Sequence, residues 1–158
     1  MEQLREGPPQ PYVVAAFLCE RVLIEVDGSL SAIRLADRFT VGVPLDAPMP
    51  SRDTPVPINP TFVLVLRGEQ LATYTARAVL VAPDGRETQA FPPTPMTVQS
   101  PDQGANIAAV LFILVGLEGQ YWLRLYIDDR EITRVPLLVV FDRRDLGPAD
   151  TPAPVPHE

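Results

Sequence analysis

The chain has 158 residues, of which 46% are hydrophobic and 21% charged, and this predicts one globular domain with a core of its own. All 13 cationic residues are arginine, so the sequence excludes a lysine Schiff base and a lysine-containing P-loop. The formal net charge of −7 disfavours binding to nucleic acid or to an anionic membrane.

Both ends of the chain are rich in proline. Prolines stand at positions 8, 9 and 11, and again at 148, 152, 154 and 156. Because closely spaced prolines favour an extended, solvated backbone, we predict tails at residues 1–11 and 143–158. The folded domain is then expected at residues 12–142.

The first elements along the chain predict a β-hairpin followed by a loop. Asp27 and Gly28 stand between two apolar runs, residues 22–26 and 30–39, which is a strong hairpin signal. Residues 42–60 are rich in proline, and we predict a long irregular loop there.

Three later segments alternate with period two, which is typical of half-buried strands. They are residues 61–67, 73–82 and 120–128. The side chains expected to share one face of each segment are Phe62, Leu64 and Leu66, then Tyr74, Ala76, Ala78 and Leu80, then Tyr121, Leu123, Leu125 and Ile127.

The remaining segments predict turns, one central strand and a second loop. Pro83-Asp84-Gly85 and Asp128-Asp129 are predicted turns between consecutive strands. Residues 107–115 are apolar at both odd and even positions, which favours a central strand covered on both faces. Residues 91–103 are predicted as a second Pro-rich loop. Together these segments predict an all-β antiparallel β-sandwich of roughly eight or nine strands.

The segment 117–123 (LEGQYWL) resembles the approach to strand F of immunoglobulin-like sandwiches. The resemblance implies that Tyr121 is the corner tyrosine, whose hydroxyl bonds to nearby backbone. Leu123 then occupies the core position where antibody domains have a cysteine. With Cys19 as the single cysteine, an inter-sheet disulfide is impossible.

A broader set of motifs resembles an uncharacterised bacterial family of small β-sandwich proteins. The motifs are residues 17–20 (FLCE), 27–33 (DGSLSAI), 37–39 (DRF), 82–85 (APDG) and 119–129 (GQYWLRLYIDD). The resemblance implies a β-sandwich fold and carries no activity, because the function of that family is unknown.

The residues needed for common catalytic and metal sites are scarce. Cys19 lies in an apolar stretch and His157 stands near the end of the chain, so no Ser-His-Asp or Cys-His arrangement is expected. We therefore predict a protein that is not an enzyme and has no cofactor or transition-metal site. A hydrolase that uses carboxylates alone is the remaining enzymatic alternative. Calcium remains an alternative because it takes oxygen ligands, which aspartates could supply. The candidates are Asp27, Asp84, Asp128, Asp129, Asp142 and Asp145.

Trp122, Arg124 and Tyr126 alternate on the strand face opposite the predicted core. These residue types are enriched at binding hot spots, so the three are the candidate partner-binding residues. The alternative interpretation is cross-strand packing, with an arginine stacked on an aromatic ring.

The sequence as a whole predicts a non-catalytic interaction or scaffold module. It would bind a protein partner or itself through a sheet face or an edge strand. A small-ligand or calcium-binding sandwich that uses loop aspartates is the alternative. The single cysteine and the polar N-terminus predict a cytoplasmic protein without a nucleic-acid or membrane partner.

Overall fold

A computed structural model describes residues 11–27, 29–68, 71–100 and 104–144. Most of both predicted tails, residues 1–10 and 145–158, lies outside the described residues. The described chain is all β and contains eleven strands, rather than the eight or nine predicted. The strands are β1 (Tyr12–Ile24), β2 (Leu30–Leu35), β3 (Arg38–Pro44), β4 (Val56–Ile58), β5 (Thr61–Arg67), β6 (Ala72–Val81), β7 (Glu87–Val98), β8 (Ala105–Val110), β9 (Ile113–Val115), β10 (Gly119–Ile127) and β11 (Arg130–Arg144).

The strands form two main sheets and one small pair. The four-stranded sheet has the order β2-β1-β5-β8, the five-stranded sheet has the order β3-β11-β10-β6-β7, and β4 pairs with β9. All pairs are antiparallel except β3 with β11, which are parallel. The order of seven of these strands, β1-β5-β8 facing β11-β10-β6-β7, matches A-B-E facing G-F-C-C′ of the immunoglobulin fold. The all-β sandwich prediction is therefore confirmed.

The core lies between the two sheets and is built from the faces predicted by alternation. Phe62, Leu64 and Leu66 of β5 are fully buried, and so are Leu123 and Leu125 of β10. The predicted inward residues of β6 are buried as well. Alternation identified these side chains because each of the three strands has one face on the core.

The chain passes from one sheet to the other between Leu35 and Arg38. The Ala36 N–H donates to the Leu18 carbonyl of β1, whereas the Leu138 N–H of β11 donates to the Asp37 carbonyl. The apolar run at residues 30–39 is therefore two strands in two sheets, not the single strand that was predicted.

The loop predicted at residues 91–103 is wrong for most of its length. Residues 91–98 belong to β7, which pairs with β6 through two register shifts. Pro92, Pro93 and Pro95 are tolerated because β7 is an edge strand, where a missing N–H need not break a ladder. The loop predicted at 42–60 is shorter than expected, since β3 and β4 leave only residues 45–55 and 59–60 irregular.

The central strand predicted at residues 107–115 is also wrong. The segment breaks between β8 and β9, where the Leu111 N–H donates to the Pro60 carbonyl and the Leu111 side chain is buried. β8 is an edge strand, and its Val110 is 70% exposed. In this segment the apolar residues at alternate positions therefore lie on an outer face that is exposed, not covered.

The predicted C-terminal tail begins two residues too early. Arg143 and Arg144 are the last residues of β11 and pair in parallel with Val43 and Pro44 of β3. Proline spacing could not indicate this boundary, because it depends on a strand that is distant in sequence.

Candidate functional site

Tyr121 forms the corner that was expected from the strand F resemblance. Its hydroxyl donates to the Leu117 carbonyl at 3.0 Å and accepts from the Leu117 N–H at 3.3 Å. Burial raises the pKa of the Tyr121 phenol, and the hydrogen bond from the Leu117 N–H opposes that rise. The tyrosine-corner prediction is confirmed.

The candidate residues Trp122, Arg124 and Tyr126 lie together on the outer face of β10. They alternate with buried Tyr121, Leu123, Leu125 and Ile127, so the pleat directs them away from the core. Their cross-strand neighbours on β6 are Val81, Val79 and Arg77, in that order.

Arg124 bonds to one carboxylate on the adjacent strand β11 and to one on β7, the strand beyond β6. Its Nε donates to Glu131 Oε2 at 2.8 Å, and its Nη1 donates to Glu87 Oε1 at 2.9 Å. Arg134 reaches the other oxygen of Glu131 at 2.9 Å. These bonds raise the pKa of Arg124 and lower the pKa of Glu131, mainly through the hydrogen bond between them.

Tyr126 lies between two guanidinium groups. The guanidinium carbon of Arg77 is 4.0 Å from the centre of the Tyr126 ring, and that of Arg124 is 5.5 Å away. Arg77 also bonds to Asp129 at 3.2 Å. Arg124 and Tyr126 therefore interact within the chain, as the packing interpretation requires, while Trp122 is 38% exposed. Their role in partner binding stays a prediction.

A second surface, which the sequence analysis did not single out, is the protruding end of the hairpin formed by β1 and β2. β1 pairs with β5 only as far as Cys19, and beyond that residue it pairs only with β2. We call residues 20–27 and 29–35 the β1–β2 ribbon. β2 is the edge strand of the four-stranded sheet.

Three pairs of ribbon residues are joined by side-chain contacts. The Ser29 amide and hydroxyl donate to Asp27, the Ser31 hydroxyl donates to Glu25, and Arg34 pairs with Glu20. The hydrogen bonds from Ser29 lower the pKa of Asp27. At its base, the Thr61 hydroxyl of β5 donates to the Glu20 carbonyl.

Large apolar side chains are exposed on the ribbon. They are Leu23, Ile24, Val26 and Leu35, and Ile24 is 76% and Leu35 70% exposed. Exposed apolar side chains are common one at a time, but four on both faces and the turn of one two-stranded element are more than such scattered exposure, and concentrated apolar exposure is typical of interaction surfaces. The sequence did contain a signal for this apolar surface, because residues 22–24 (VLI) are three consecutive apolar residues, so both faces of the strand carry one. Periodicity cannot tell whether such a segment is covered or exposed.

The aspartates considered as calcium ligands are not brought together. Asp84 follows the end of β6 and Asp128 follows the end of β10, which are antiparallel neighbours, so the two turns lie at opposite ends of the sheet. Each of the five described carboxylates accepts a bond from this chain, and Asp145 lies outside the described residues. The donors to Asp27, Asp84, Asp128, Asp129 and Asp142 are Ser29, Arg52, Thr75, Arg77 and Arg144. Among the described residues, no three His, Cys, Asp or Glu side chains are grouped for a metal ion.

Cys19 is fully buried in β1. Its thiol lies 3.6 Å from the Arg21 carbonyl, and burial raises its pKa, so the unreactive thiol form is favoured. His157 lies outside the described residues. In the part of the chain that the structure describes, no helix is long and apolar enough to cross a membrane.

No protein family and no curated protein matches the chain by sequence. Among solved structures, the fold is similar to an immunoglobulin-like protein from Pseudomonas aeruginosa, with 14% identity, a TM-score of 0.37 and coverage of 82% of this chain and 96% of that chain. It is also similar to the Pseudomonas fluorescens alkylpurine DNA glycosylase AlkC bound to DNA containing an abasic site analog, with 8% identity and a TM-score of 0.34. That match covers 63% of this chain and 27% of the glycosylase. Similarities at this level do not bear on function, and membership of the uncharacterised bacterial family stays a prediction.

Proposed function

We propose that the protein is a non-catalytic interaction module that associates with a second copy of itself through the β1–β2 ribbon. The observation that carries the proposal is the ribbon itself, a two-stranded extension with a free edge and exposed apolar side chains. A cytoplasmic location is part of the proposal, supported by a buried cysteine that forms no disulfide.

The stability of isolated hairpins supports the proposal. A two-stranded hairpin without further strands or a packed face is marginally stable at best in water. Beyond Cys19 the ribbon has neither further strands nor a packed face, because β5 begins at Thr61, opposite Cys19, and β2 is an edge strand. Pairing with further strands would supply both hydrogen bonds and apolar contacts.

The edge strand suits a second copy for reasons of symmetry and charge. Two identical edge strands can pair antiparallel about a two-fold axis, so that the same surface serves both subunits. Arg34 has a φ of 52°, so the regular part of the edge is Leu30–Ile33. The net charge of −7 opposes self-association in general, but β2 contains no acidic residue and its one charge, Arg34, is paired with Glu20.

The test compares matched substitutions at opposite edges of the same sheet. Leu35→Lys places a charge on the ribbon, and Val110→Lys places one on β8, at a residue with the same 70% exposure. Both residues are exposed, so neither change is expected to prevent folding. The oligomeric state is measured by sedimentation at ~100 µM protein, a concentration at which weak dimers with Kd in the micromolar range form. We expect a dimer for the wild type and for Val110→Lys, and a monomer for Leu35→Lys.

A Trp122→Ala variant in the same experiment tests the outer face of β10. A wild-type monomer, or a dimer that Leu35→Lys leaves unchanged, would contradict self-association through the ribbon. A dimer that dissociates only with Trp122→Ala would place the interface on the face predicted from the sequence instead.

A further inference from the structure

A cleft of about 220 Å³ opens at one end of the sandwich. It lies between the loop at residues 45–55, the turn that joins β6 to β7, and the corner formed by Tyr121. The cleft lies at the end of the sandwich and not on the outer face of β10, and nothing in the proposed self-association uses it.

The loop is held against the corner by close backbone packing. Ser51 and Thr54 exchange two backbone hydrogen bonds, at 3.2 and 3.3 Å, and their hydroxyls are 2.9 Å apart. A Cβ atom at Gly116 would lie 2.2 Å from the Ser51 carbonyl oxygen, so only glycine allows this approach. The tight turn and the glycine together fix Arg52 at the rim of the cleft.

An ion pair joins the loop to the opposite rim. Arg52 Nη2 lies 2.9 Å from Asp84 Oδ2, and the Asp84 side chain is mostly buried. The other oxygen of Asp84 accepts from the Arg86 amide at 3.1 Å. Asp84 is thus occupied by protein donors, whereas Arg52, which has five N–H donors, retains several for a ligand.

The walls are apolar and the rim is cationic. Leu80, Ala82, Leu114 and Leu117 line the interior. Among the described residues, the Arg86 guanidinium at the rim forms no ion pair. Arg52 and Arg86 against Asp84 give the rim a net charge of +1, within a chain whose net charge is −7.

We propose that this cleft binds a small organic carboxylate with an apolar body, such as one carrying a single aromatic ring. Arginine binds carboxylates in a bidentate manner, and apolar pockets with a few converging polar groups are the usual form of ligand sites. An apolar cavity of ~150 Å³ is sufficient for benzene, so the volume admits one ring. The ring lies against Leu114 and Leu117, and the carboxylate bonds to Arg86 and to the free donors of Arg52.

The experiment titrates the full chain with benzoate and, in parallel, with its uncharged analogue benzamide. Binding is followed by calorimetry and by the backbone amide NMR signals of Arg52, Arg86 and Leu117. Arg86→Gln removes the unpaired cation, and Arg38→Gln is a matched control at an exposed arginine of β3. Both variants leave the core unchanged, so thermal unfolding should match that of the wild type.

We expect saturable binding of benzoate with shifts confined to the cleft, and at least ~10-fold weaker binding of benzamide and of benzoate to Arg86→Gln. Arg38→Gln should bind as the wild type does. Absence of saturable benzoate binding at ~10 mM, equal binding of benzamide, or an Arg86→Gln variant that binds normally would overturn the proposal. None of these outcomes depends on the oligomeric state, so this test and that of the ribbon fail independently.

Discussion

The β1–β2 ribbon and the β10–β11 hairpin have similar turn signals in the sequence but lie in opposite environments. Both are antiparallel pairs whose turns contain aspartate, at Asp27 in one and at Asp128 and Asp129 in the other. β10 and β11 are flanked by β6 and β3 and cover the core, whereas the ribbon has no strand on its far side. A hairpin signal in the sequence therefore specifies that two strands pair. The strands beside the hairpin determine how stable it is and whether its surface is free to bind a partner.

The largest contrast is expected from apolar truncations in the two regions. Leu123→Ala removes a fully buried side chain and should lower the free energy of unfolding by about 2–5 kcal/mol. Ile24→Ala in the ribbon should change it by no more than about 0.5 kcal/mol. Urea unfolding at a protein concentration where the chain is monomeric measures both, since self-association adds to apparent stability. A large loss for Ile24→Ala in the monomer would mean that the ribbon is packed against the sandwich.

A smaller loss of stability is expected from a substitution at Tyr121, the corner residue at the start of β10. Tyr121→Phe keeps the ring and removes the hydroxyl that bonds to both backbone groups of Leu117. The free energy of unfolding should fall by about 1–3 kcal/mol, the cost of leaving buried polar groups unpaired. Urea unfolding of the variant measures it, and Tyr12→Phe, at an exposed tyrosine of β1, is the control. Equal stability of Tyr121→Phe and the wild type would contradict a structural role for the corner.

The smallest effect concerns the charges on the outer face of β10. The hydrogen bond from Arg124 lowers the pKa of Glu131 in the folded chain below its value in the unfolded chain. The resulting stabilisation is present above the unfolded pKa of ~4.3 and is lost as the pH falls through the folded pKa. The stability advantage of the wild type over Glu131→Gln should therefore shrink below that pH, and salt should reduce it. Unfolding in urea at several pH values measures it, and a difference independent of pH would contradict the assignment.

The predictable part of the fold is the part in which one face of a strand meets the core. Alternation correctly identified the inward residues of β5, β6 and β10, and turn chemistry identified the β6–β7 turn, where Gly85 has a φ of 83°. The prediction at residues 91–98 failed because proline content was taken as a sign of an irregular loop, and the prediction at residues 107–115 failed because apolar content was taken as a sign of burial. Both segments are at sheet edges, where proline is tolerated and apolar side chains are left exposed.

The candidate site was predictable in composition but not in environment. Alternation placed Trp122, Arg124 and Tyr126 on one outer face, and that placement is correct. The contacts of Arg124 with Glu87 and Glu131 depend on how β11, β6 and β7 are aligned with β10. The sequence of β10 alone does not specify that alignment. The cleft at Arg52 and Arg86 could not be predicted either, because its residues come from three segments that are far apart in sequence.

By itself, the sequence determined the all-β class, the faces of the central strands, the corner tyrosine and the shortage of catalytic side chains. These follow from local rules, because side-chain periodicity, turn conformation and residue chemistry act over a few neighbouring positions. Only the tertiary structure decided which strands became edges, where the chain changed sheets, and which charges met. Those outcomes depend on contacts between residues far apart in sequence, so the same apolar residue is buried at Leu123 and exposed at Leu35.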